Sequence, residues 1–239
     1  MAERAKEELL ENGFEELHLK ENWNLVKGGK YVLEHHGSTI FAFTIGEEFK
    51  AEDGYRIGAS HGDFPAFRIK PNAGMENGGY LQLNTEPYGG LILSSWMDRP
   101  LSVAGRVAVK SDDVFKPEMR LVDLKKPVLL IPNLAIHMNR EVNEKGAPID
   151  NQKHLLPMLG MVDETLNKDT KFVDLLAEKL GVDAKDILDY DLCIYNLNKP
   201  ELVGMKEDFI SAPRLDDITS CSALIHGLID SHNTDRVNL

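Results

Sequence analysis

Apolar positions along the chain change period several times, and each change marks an expected element. Residues 2–11 are expected to form a short helix, which Gly13 ends. The run KYVLEHHGSTIFAFTIG, residues 30–46, then alternates with a period of two around Gly37-Ser38 and predicts a hairpin. Its second arm puts Ile40, Ala42 and Thr44 on one face and Phe41, Phe43 and Ile45 on the other. Apolar residues on both faces predict a central strand, covered from both sides. GYRIGAS, residues 54–60, predicts a further strand that delivers His61 at its C-terminal end.

From about Asn72 the texture changes. Gly74, Gly78, Gly79, Gly89 and Gly90 punctuate the short runs YLQLNTE, LILSSW, LSVAGRVAVK and MRLVDLKKPVLLI. The expectation is a β-rich module of hairpins, a small barrel or sandwich, inserted between two parts of an α/β domain. FVDLLAEKLGV follows at helical spacing, with Phe172, Leu175, Leu176 and Leu180 on one face and Gly181 just past the helix end. DLCIYN, residues 191–196, predicts a strand, and DDITSCSALIHGLID, residues 216–230, a helix with Ile218, Cys221, Ile225 and Leu228 inward. The expected division is 1–73 for the first part of the α/β domain, 74–204 for the insert and 205–239 for the return.

Composition narrows the chemistry. The 239 residues carry a net charge of −12 and are 42% hydrophobic, enough to bury a sizeable core. With no Lys/Arg-rich run, neither nucleic acid nor an anionic membrane is an expected partner, since phosphate neutralisation needs clustered cations. Small molecules, peptides or metal cations suit the charge better. No run of about eighteen apolar residues occurs, and the first ten residues are charged and amphipathic, so the expected location is cytoplasmic. Cys193 and Cys221 each lack a neighbouring cysteine and are expected to be buried free thiols.

Two clusters carry candidate chemistry. In His61-Gly62-Asp63, the imidazole is suited to a metal while the aspartate accepts the other ring N–H, fixing the tautomer; an ordinary polar loop has the same spacing. Asp216 and Asp217 are adjacent acids at the start of an apolar helix, where an N-cap would also favour them. His35-His36 is set aside as a metal pair, because strand neighbours point to opposite faces. Gly28-Gly29-Lys30 lacks the rest of a phosphate-binding loop, and Ser60, Ser94 and Ser95 lack an adjacent His-Asp arrangement.

Four segments in order, WNLVKGGKYVLEHHGSTIFAFTIG, GASHGDFPAFRIKPN, LLIPNLAIHMNR and GMKEDFISAPRLDDITSCSALI, give the chain a resemblance to the aspartyl aminopeptidase family of dinuclear zinc metallopeptidases. The resemblance implies a three-layer α/β metallopeptidase domain interrupted by a β-rich dimerisation domain. It also implies removal of an N-terminal residue, nominally acidic, from peptide substrates, and a homo-oligomer of dimers built into a dodecamer. By the same resemblance, His61 is a ligand of one zinc and Asp63 the acid that orients it. Asp216 bridges the two zinc ions, with cobalt or manganese as alternative occupants, and a cis peptide joins it to Asp217. His137 is lent to a neighbouring subunit's active site. Gly62 and Phe64 stand where the family commonly has Thr and Ser, a change in the pocket wall beside the metals. After SHNTDRVNL the family continues into a glutamate pair, one the general base and the next a zinc ligand, and later an Asp and a His. The expectation is therefore a truncated member, with weak or absent metal binding and no turnover by residues 1–239 alone. The alternative expectation is a non-catalytic subunit that acts in assembly with a full-length particle.

Overall fold

A computed structural model describes residues 1–162 and 171–239. Contacts divide the chain into two units, Met1–Phe64 with Arg214–Leu239, and Pro65–Pro213. The sequence expectation set the joints at 73/74 and 204/205.

The first unit opens with helix α1, Ala2–Glu11, whose Ala5 and Leu9 are buried. Strands β1, Glu15–Leu17, β2, Lys30–His35, β3, Thr39–Ile45, and β4, Tyr55–Arg56, follow. The expected hairpin is present: β2 and β3 pair antiparallel from Lys30 opposite Thr44 to His35 opposite Thr39. Its turn uses left-handed backbone at His36 and Gly37, φ 54° and 70°, which costs glycine nothing. Both faces of β3 are covered. Ile40 and Ala42 pack with Leu9, Phe14 and Val32, while Phe43 and Ile45 pack with Leu17, Tyr31 and Leu33. The strand expected over 54–60 is much shorter: it spans Tyr55–Arg56, one further main-chain bond runs from the Gly58 N–H to the Leu239 carbonyl, and the chain continues without regular structure to Pro65. His61 therefore stands in an irregular segment and not at a strand end. The turn also breaks strand alternation at His36: the His35 and His36 rings lie 3.9 Å apart between centroids, which corrects the expectation that they point to opposite faces.

The second unit begins with β5, Ala66–Asn77, and β6, Tyr80–Tyr88, then β7, Leu101–Val109, and β8, Glu118–Asp123. A single-turn helix α2, Val142–Lys145, precedes β9, Met158–Met161; α3, Lys171–Leu180, β10, Ile187–Asn196, and the ribbon β11, Glu201–Val203, with β12, Phe209–Ser211, complete it. LILSSW is not a strand, since Leu93–Trp96 forms a 3-10 turn. Six strands form one sheet in the order β8-β7-β10-β5-β6-β9. With β8 and β9 at opposite ends, the sheet is open, not the closed barrel that was one expectation. One core runs beneath it, built on Phe67, Leu83, Val103, Val107 and Ile194 and closed by Phe172 and Leu176 of α3. Gly181, at φ 67°, ends α3 as expected, with the Val182 N–H returning to the Ala177 carbonyl. Cys193 is half-buried and Cys221 buried, so one of the two thiols is less enclosed than expected.

The chain re-enters the first unit with α4, Leu215–Asp230, and β13, Val237–Asn238. The five-stranded sheet has the order β1-β2-β3-β13-β4, so β3 is central, as its two apolar faces require. Asn233 fixes the approach to β13, its amide donating to the Thr44 carbonyl, to Thr44 Oγ1 and to the Arg236 carbonyl. Among the described residues no helix is long and apolar enough to cross a membrane.

Candidate metal centre

α4 does not start as a simple helix. Arg214 has left-handed backbone, φ 69°, and Asp216 and Asp217 both depart from helical dihedrals, so regular helix resumes only at Ile218. The peptide bond between the two aspartates is cis. This local path separates their roles. The Asp217 side chain is 21% exposed and the Asp216 side chain 96% exposed. The N-cap role that the adjacent acids allowed is not seen, since α4 has no side-chain cap; the Asp217 carboxylate instead takes a hydrogen bond from the Ser220 side chain and, through Oδ2, the His61 main-chain N–H at 3.3 Å. The Ser220 bond first, then the His61 N–H and the charge of the imidazole, hold the Asp217 carboxyl below its ordinary range against the opposing effect of burial.

His61 meets this helix start from 155 residues away in the chain, counting from 61 to 216. Its Nε2 lies 3.8 Å from Asp216 Oδ1 and 4.0 Å from Asp217 Oδ2. On the other side of the ring, Nδ1 lies 3.0 Å from the main-chain carbonyl of Asp63 and 3.5 Å from its carboxylate. The carbonyl can only accept, so Nδ1 carries the proton and Nε2 turns a lone pair toward Asp216. The resemblance assigned that orienting task to Asp63 as an acid; the nearer atom is its peptide oxygen. The Asp63 carbonyl is also the first cause of a raised His61 pKa, followed by the charges of Asp217, Asp63 and Asp216, with desolvation opposing.

These donors can be tested against zinc. Zn–N and Zn–O bonds sum to about 4.2 Å. The 3.8 Å gap therefore lets one ion reach both His61 Nε2 and Asp216 Oδ1. Asp217, committed to Ser220 and to the His61 N–H, supports the arrangement and does not add a free donor. Among the described residues no group of three or more His, Cys, Asp or Glu side chains is arranged to hold a metal ion. The residues fit as two donors of a site.

Three contacts beside this pair are not expected from the sequence, although Cys221, Gly62 and Phe64 are singled out there. Cys221 Sγ donates to the His61 carbonyl at 3.3 Å and accepts from Ser60 Oγ at 3.2 Å. The Arg214 guanidinium lies 4.9 Å from the centre of the Phe64 ring. A side chain at Gly62 would meet Met1 Cγ at 3.1 Å. His137 belongs to the other unit, on the exposed 3-10 turn Ile136–Met138.

A family model described as aminopeptidase I zinc metalloprotease (M18) matches residues 1–238. A probable M18 family aminopeptidase 2 of Clostridium acetobutylicum is 42% identical over 238 residues, covering 99% of this chain and 55% of that relative. The structure of Chaetomium thermophilum mApe1 superposes with a TM-score of 0.85 at 30% identity over 99% of this chain and 56% of its own. A structure of the S. cerevisiae mApe1 dodecamer does so with a TM-score of 0.77 at 25% identity, over 99% and 55%. The chain thus spans about half the length of the curated relatives it matches. A match that runs from the first residue to the next-to-last, through both units and both halves of the His61–Asp216 cluster, makes the chain a member of the M18 family of zinc aminopeptidases.

Proposed function

We propose that the chain contributes part of a dinuclear zinc aminopeptidase centre that removes N-terminal residues from peptides. In this assignment His61 is a terminal ligand to one zinc, Asp216 bridges two, and cobalt or manganese are alternative occupants. Bound zinc would supply Lewis-acid polarisation of the scissile carbonyl. Everything else in the cluster is positioning. The Asp63 carbonyl keeps the proton on Nδ1, and Asp217 holds the His61 main chain beside the helix start. The observation that carries the proposal is the 3.8 Å approach of His61 Nε2 to Asp216 Oδ1.

Finer features rest on the family. A nominally acidic N-terminal residue is the proposed substrate end. The second unit is the proposed interface module of a homo-oligomer, with dimers built into a dodecamer like that of the yeast relative, and His137 is the residue it lends to a neighbour's site. Residues 1–239 alone are proposed to turn over no peptide, because two donors fall short of the about three protein ligands that even a catalytic zinc site takes.

Equilibrium dialysis against Zn²⁺ tests the assignment. Binding by the 239-residue chain should be weak, and His61→Ala and Asp216→Asn should each reduce it by more than about tenfold, the scale at which even outer contacts affect a site. Zinc uptake unaffected by both substitutions would contradict it. Rapid release of Asp from an aspartyl amide by the chain alone would contradict the proposed inactivity.

A further inference from the structure

Resting on that assignment, we propose that Cys221 is a positioning residue for His61, acting on the main chain and not on the ring. The His61 backbone is held at both its polar groups by the start of α4. Its N–H donates to Asp217 Oδ2 at 3.3 Å, and its carbonyl accepts the Cys221 S–H at 3.3 Å. Asp217, in the irregular start of α4, takes the N–H, and Cys221, in the regular helix that follows, holds the carbonyl. The thiol's direction is itself set. Ser60 Oγ–H donates to Sγ at 3.2 Å, occupying a sulfur lone pair and leaving the single S–H for the His61 carbonyl.

The segment from Ile57 to Pro65 has no strand or helix of its own, so no regular ladder fixes the His61 main chain and its two polar groups depend on such individual contacts. The stretch that makes them follows directly on Asp216. The start of α4 thus carries one proposed donor and the groups that hold the main chain of the other. Cys221 is only 6% exposed, and a small apolar residue in a core would account for that burial alone. Packing does not account for the pair of directed contacts from Ser60 and to His61.

The experiment compares Cys221→Ala, which removes the donor, Cys221→Ser, which keeps one, and Ser60→Ala, which frees the thiol to turn. Imidazole ¹⁵N shifts of His61 in the metal-free chain report the tautomer, and Zn²⁺ titration reports affinity. At pH above the titration of the ring, wild type and Cys221→Ser should show Nδ1–H as the dominant neutral tautomer. Cys221→Ala should show mixed tautomers and about tenfold weaker Zn²⁺ binding, the loss typical of removing an outer contact. Ser60→Ala, altered only at an exposed position, should fall between them. A folded Cys221→Ala protein with wild-type shifts would overturn the proposal. If Cys221→Ala does not fold, unchanged shifts in Ser60→Ala would overturn it. Should Zn²⁺ bind neither wild type nor variants, the metal-centre assignment fails, while the tautomer signal still decides the role of Cys221.

Discussion

At the scale of single residues, His61 is defined by what surrounds each ring nitrogen. An accepting carbonyl at Nδ1 and carboxylates near both nitrogens favour the imidazolium, so its pKa is raised above the ordinary 6.5. A raised folded-state value means that protonation favours the fold: the contribution is fully present below 6.5 and is lost as pH rises through the higher, folded midpoint. Zn²⁺ competes with the proton at Nε2, so binding should weaken as pH falls through that same midpoint. An NMR titration of metal-free His61 should give a midpoint above 6.5; a value at or below it would contradict the geometry. The His-x-Asp spacing was legible in the sequence because its chemistry depends on residue type. That the peptide oxygen of Asp63 lies closer than its carboxylate was not, since the choice is made by backbone dihedrals in a segment without regular structure.

At the scale of elements, helices with a single apolar face were the most legible. In α3, Phe172 and Leu176 are buried against the sheet, and Leu175 and Leu180 pack at its margin, as the period of 3.6 required. Phe172 is 2% exposed and meets Tyr190 edge-to-face at 5.8 Å between centroids. Phe172→Ala should cost about 3–5 kcal/mol, from lost burial and the cavity left behind, and denaturant unfolding would measure it. A cost near zero would mean that α3 does not close the core. Short elements were read less well. GYRIGAS is strand only at Tyr55 and Arg56, where β13 supplies a partner, and strand pairing between distant segments leaves no local mark. The α4 start shows the same limit: two adjacent acids suggested a cap, yet neither caps the helix, and the departure of both from helical dihedrals comes from local backbone geometry that composition does not encode.

At the scale of the molecule, alternation and glycine spacing were enough to recognise an inserted β-rich unit in an α/β chain. Whether that unit closes was beyond them, because closure depends on whether the first and last strands of the sheet meet, and β8 and β9 lie at opposite ends. The place where the insert begins was obscured for a related reason: Ala66–Asn77 is one continuous strand, paired to β6 and β10, so the polar stretch after Pro65 belongs to the sheet. The site itself is an outcome of this topology. The chain leaves the first unit three residues after His61 and returns two residues before Asp216, so the two ends of the insertion bring the proposed donors together. X-ray absorption at the zinc edge of the zinc-loaded chain tests that convergence most directly. One imidazole and carboxylate oxygen are expected in the shell, with the imidazole scattering lost in His61→Ala. An imidazole signal that persists in that variant would contradict it.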